Sequence, residues 1–82
     1  MNTDEIRNKT LDEVYEALSA LVVEYNELLK NLGQQYYELK DCTDRESVLL
    51  REKIEDRDYG IFCERSGIKV AMETIENMRN KN

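Results

Sequence analysis

Isoleucine recurs every seven residues through the second half of this chain, at Ile54, Ile61, Ile68 and Ile75. Leu11, Leu18, Tyr25, Leu32 and Leu39 keep the same period through the first half. A seven-residue apolar period is the signature of a long helix with a seam that has to be covered. Two such ladders in one short chain predict two long helices, and little else that the sequence contains competes with that demand.

On the first ladder, a wider apolar set surrounds the seam. With Leu11 at heptad position a, Val14, Leu21 and Leu28 fall at d, and Tyr15, Val22, Leu29 and Tyr36 at e. A stripe made of a, d and e is broader than a two-stranded coiled coil needs and suits a bundle. On the second, Leu50, Ile54, Ile61, Ile68, Ala71, Ile75 and Met78 form the main seam, and Leu49, Tyr59, Phe62 and Val70 a second, angularly offset stripe.

Two capping-box patterns mark the helix starts. Thr10-Leu11-Asp12-Glu13 predicts a helix from residue 10 to 41, behind a short polar leader of residues 1–9 that carries its own cap at Thr3. Thr43-Asp44-Arg45-Glu46 predicts a tight turn at 42–44 and a second helix over 45–79. Gly33 weakens helix propensity by about 1 kcal/mol, yet Leu32, Tyr36 and Leu39 stay in phase across it. Gly60 and Gly67 each precede a seam isoleucine. The unbroken isoleucine period favours one continuous helix with Gly60, Cys63, Gly67 and Ala71 as a small-residue stripe. The alternative ends a helix at Tyr59 and gives three helices.

Folded back antiparallel, the two ladders register without adjustment. Leu11 meets Ile75, Leu18 meets Ile68, Tyr25 meets Ile61, Leu32 meets Ile54, and Val14 meets Ala71. Only Leu21 against Glu64 and Leu28 against Arg57 are mismatched. The fold class that follows is all-α: one domain, a long antiparallel, coiled-coil-like helical hairpin. At 82 residues a lone hairpin buries too little surface to stand comfortably alone. Dimerisation into a four-helix bundle, with Leu49, Tyr59, Phe62 and Val70 as the self-interface, is therefore expected.

Charge narrows the partners. There are 18 acidic and 12 basic residues, a net charge of −6. Residues 1–41 hold nine acids and four bases, residues 42–82 nine and eight, so the first helix is the acidic one. Phosphate backbones are bound by Lys and Arg, and direct nucleic-acid binding is disfavoured. A larger, basic protein suits the acidic face, with Glu13, Glu16, Glu24 and Glu27 as contacts. At the hairpin tip, Tyr36, Tyr37, Arg51 and Arg57 are of the residue types that dominate interface energies.

Chemistry is thinly represented. The chain has no histidine, which removes the commonest general base and the usual partner of Ser or Cys nucleophiles. Cys42 and Cys63 are not spaced for zinc and lie far apart along a hairpin. Cys63 is expected as a small core residue and Cys42 as exposed near the turn. Reduced thiols, the absence of a transmembrane-length apolar run, and an N-terminus without signal-peptide character point to a cytoplasmic protein without cofactor, metal or membrane contact.

The expected function is a small non-enzymatic protein–protein interaction module of bacterial or phage type, acting as inhibitor, adaptor or antitoxin-like binder. Three alternatives stand beside it. One is an acidic mimic of nucleic acid that blocks a nucleic-acid-binding protein. Another is an oligomer that captures a small nucleotide between subunits through Tyr36, Tyr37, Arg51 and Arg57. The last rests on Glu24–Glu27 and Glu55–Asp58, which resemble the acidic pairs with which all-helical nucleotide pyrophosphohydrolases hold Mg²⁺.

Overall fold

The computed structural model describes residues 3–80 and consists of two antiparallel helices, α1 (Thr3–Leu39) and α2 (Arg45–Asn80), of 37 and 36 residues. Together they make a rod of 64 × 15 × 13 Å. Its Cα radius of gyration is 18.7 Å, against about 12 Å for a compact chain of this length. Among the described residues, no helix is long and apolar enough to cross a membrane.

Helix α1 begins seven residues ahead of the expected start. Residues 3–9 contain no proline or glycine, and Asp4 and Glu5 lie in the first turn, where negative charge is favoured by the helix dipole. The anticipated leader is therefore helical from Thr3 onward, and residues 1–2 lie outside the described part. Thr10 sits inside the helix, and its hydroxyl donates to the Ile6 carbonyl at 3.0 Å instead of capping an N-terminus. No glycine ends α1. Short backbone bonds from the Lys40 N–H to Tyr37 and from the Cys42 N–H to Leu39 tighten its last turn.

The second capping pattern is displaced by one residue. Asp44, not Thr43, caps α2: its Oδ2 accepts from the Ser47 N–H at 3.0 Å and from the Ser47 hydroxyl at 2.9 Å. Past the cap, α2 runs unbroken through Gly60 and Gly67 to Asn80, with no glycine at positive φ.

Each helix reaches over to the C-terminal end of the other. Arg51 donates to the Lys40 carbonyl just past α1, and Arg7 to the Met78 carbonyl near the end of α2, at 3.1 Å. Both contacts satisfy carbonyls that a helix end leaves open and set positive charge at the negative pole.

The core is small. Leu32, Ile54 and Ile61 are buried, with Tyr25, Leu29 and Leu39 packed against them. This is the centre of the register the sequence implies. The lateral composition of the seam differs. On α1 the a and e residues turn inward: Leu11, Tyr15, Leu18, Val22, Tyr25 and Leu29 are half-buried. The d residues Val14, Leu21 and Leu28, expected in the seam, are exposed. With Ile54 at a′, α2 does the same: Leu50, Ala71 and Met78 at d′ are exposed, whereas Arg51, Asp58, Arg65 and Met72 at e′ are half-buried.

Candidate functional site

The two long edges of the hairpin have different chemistry. Along the first, b positions of α1 face e′ positions of α2. Asp12 pairs with Arg79, Asn26 Oδ1 accepts from Arg65 at 2.7 Å, and the Lys40 carbonyl accepts from Arg51. Each α1 member lies 14 residues from the next, and so does each arginine. Between these rungs Tyr15 donates to Glu76 at 2.8 Å, and Tyr36 shares a cleft with Glu55. At the intervening level Gly33 and Asp58 line one cleft with Leu32, Tyr36 and Ile54. The result is a polar ladder that closes this edge and holds the register.

Tyrosine electrostatics follow from the same geometry. Hydrogen bonds to Glu76 and Glu55, and then the charge of those carboxylates or burial, push the Tyr15 and Tyr36 phenols above the ordinary value. Tyr25 is pushed the same way by its hydrogen bond to Glu64 and by that group's charge. A phenol that donates to a carboxylate cannot ionise without losing the bond and placing two negative charges together.

The opposite edge is open. Val14, Leu21 and Leu28 of α1 are exposed by 44%, 39% and 40%, and Leu50 and Met78 of α2 by 48% and 41%. Arg57 and Glu64 complete the α2 row, and Tyr25, Leu28, Arg57, Gly60, Ile61 and Glu64 line a groove at mid-height. A second groove nearer the tip runs past Leu28, Leu50, Lys53 and Arg57. A Cβ placed on Gly60 or Gly67 would meet nothing within 4 Å, so neither glycine is required by packing inside the chain. The mismatches anticipated at Leu21–Glu64 and Leu28–Arg57 both fall on this edge.

The chain matches no family model, no curated protein and no solved structure. The site therefore has to be read from its own chemistry.

The residues singled out from sequence are dispersed. Of the tip quartet, Tyr36 and Arg51 are held in the ladder. Tyr37 stands on the back of α1, 67% exposed, with the Lys40 ammonium 4.3 Å from its ring centre. Arg57 lies on the open edge. One chain thus does not bring the four into a single contact site. Glu13, Glu16, Glu24 and Glu27 are all exposed, the first, second and fourth on the back of α1 and Glu24 beside the open edge. Leu49, Tyr59, Phe62 and Val70 are exposed too, but on different sides of α2. Phe62 lies toward the ladder, with the Arg65 guanidinium 5.2 Å from its ring centre.

The cysteines depart from expectation. Cys63 is exposed rather than in the core, and Cys42 is half-buried; both are free thiols. Glu55 and Asp58 share the cleft at Tyr36, with Glu27 exposed on another side. Among the described residues no three acidic or thiol groups converge as metal ligands would. The heptad pattern alone does not reveal the ladder. Its signal is the 14-residue spacing of Arg51, Arg65 and Arg79 against that of Asp12, Asn26 and Lys40, a period hidden within the heptad.

Proposed function

We propose that this chain is a non-enzymatic protein–protein interaction module that works as a dimer of hairpins, a four-helix bundle whose outer acidic faces engage a basic protein. The observation that carries the reading is the open edge. Five large apolar side chains from both helices are about half exposed along it, while the opposite edge is closed by polar contacts.

Surface area supports the same reading. The chain exposes 6407 Å², where a folded monomer of its mass exposes about 5,100 Å². Packing two hairpins edge to edge covers the excess and builds the larger core that a chain of this size lacks. It leaves Glu13, Glu16 and Glu27 on the outside and Glu24 at its margin, and among the described residues none of the four takes part in an ion pair. An unpaired row of carboxylates attracts a basic surface at long range and loses that attraction as salt rises.

Light scattering over a dilution series tests the assembly. A mass of two chains that persists on dilution is expected, and Leu21→Glu with Leu28→Glu should reduce it to one. A wild-type chain that is monomeric throughout overturns the dimer. The basic partner is tested by capture in low salt. Neutralising all four glutamates to glutamine should abolish the capture, and binding indifferent to both salt and these changes overturns an acidic contact.

A further inference from the structure

The open edge carries more information than its hydrophobicity, because the residue order at its centre is complementary to its own reverse. The d′ row of α2 reads Leu50, Arg57, Glu64, Ala71, Met78, and its first four members carry the pattern. Turned end for end about the point between Arg57 and Glu64, arginine meets glutamate and leucine meets alanine. The d row of α1 reads Arg7, Val14, Leu21, Leu28, Gln35. Turned about the point between Leu21 and Leu28, leucine meets leucine at the centre, and Val14 meets Gln35 beyond it. A two-fold contact requires this property, since residue i touches j of the partner while j touches i.

The two turning points were found separately, one on each helix, and they coincide in space. Tyr25 and Leu28 of α1 line one groove with Arg57, Gly60, Ile61 and Glu64 of α2. A single axis through that groove therefore serves both helices. We infer that the occupant of the open edge is a second copy of this chain, packed antiparallel about a two-fold axis at the level of Tyr25 and Ile61, with Arg57 of each chain paired to Glu64 of the other. This inference rests on the dimer proposed above and specifies its face, symmetry and ionic contacts.

Further features agree with it. Arg57 and Glu64 are two turns apart on one helix, about 10 Å, too far to pair with each other. Glu64 lines the groove beside Tyr25, and its carboxylate can meet a guanidinium from outside the chain. Gly60 and Gly67, with nothing within 4 Å of a Cβ, border the same edge and permit close approach of a helix. The excess exposure of about 1,300 Å² per chain matches the per-chain share of an ordinary obligate homodimer interface.

Charge reversal tests the pairing. Arg57→Glu and Glu64→Arg are both changes at exposed positions, and far-ultraviolet circular dichroism verifies that each chain stays helical. Sedimentation equilibrium then gives the dimer dissociation constant. Each single variant sets like charges opposite each other at two symmetric points and is expected to weaken the dimer by about tenfold or more. An equimolar mixture of the two variants should form a heterodimer of near wild-type affinity, because both ion pairs are restored, one with its polarity reversed and one as in the wild type. The chain carrying both changes should likewise regain self-association.

A wild-type dimer whose affinity ignores all three variants overturns the inference and leaves the hairpin dimer standing on another face. Loss in the single variants without recovery in the mixture overturns it as well. A wild-type monomer overturns both.

Discussion

At Asp44 one carboxylate decides where the second helix starts. Its hydrogen bonds from the Ser47 hydroxyl and N–H hold its pKa below the ordinary value, because those donors favour the charged form. A folded-state pKa lower than the unfolded one contributes stability that is present above the unfolded value. That contribution is lost as pH falls through the folded one. Thermal unfolding of the wild-type chain should therefore fall to lower temperature as pH drops through and below the ordinary Asp range. In Asp44→Asn the amide oxygen still caps the helix, and this component of the acid sensitivity should be missing. Asp44→Ala loses the cap and should unfold at lower temperature at neutral pH as well. Equal acid slopes for Asp44→Asn and wild type would show that the charge of this cap does not matter.

At the scale of the helix, burial is concentrated in very few side chains. Leu32 is 8% exposed and Val23, nine residues earlier on the same helix, 60%. Leu32→Ala removes contacts with Ile54 and Ile61 and should destabilise the chain by about 2–3 kcal/mol. Val23→Ala should change it by no more than about 0.5 kcal/mol. Urea unfolding with an unchanged slope separates the two. Similar losses at both sites would place the core elsewhere.

Much of this was legible in sequence. The a-position ladders fix two helices and their antiparallel register, and the phase of Leu32, Tyr36 and Leu39 correctly carries α1 through Gly33. What was not legible is which neighbour of the seam turns inward. On α1 both d and e are apolar, so local pattern cannot choose between Leu28 and Leu29. The choice is made by α2, whose e′ arginines reach the b positions Asp12, Asn26 and Lys40 of α1 and draw the e side shut. The start of α1 was misplaced for a related reason, whereas α2 starts at Arg45 as expected. Thr10 heads a capping box, but a threonine hydroxyl also bonds back to the carbonyl four residues earlier, as Thr10 does. Nothing in residues 3–9 stops the helix.

For the whole molecule, the asymmetry between its edges makes a prediction about shape. A hairpin 64 Å long can associate side by side or end to end, and the resulting particles differ greatly in length. An axis between Leu21 and Leu28 on α1, and between Arg57 and Glu64 on α2, lies within a few residues of the middle of each helix. At about 1.5 Å per residue, the second copy overhangs the first by less than about 10 Å at either end. Small-angle X-ray scattering of the dimer should therefore give a maximum dimension only slightly above that of one hairpin, with a cross-section about twice as broad. Pairing through the tip, around Tyr37 and Lys40, would nearly double the length and leave the cross-section unchanged. A particle of that form would show that the exposed leucines of the long edge are not what the two copies share. The thick, short form would leave the hairpin ends and the acidic back of α1 as the surfaces still open to another protein.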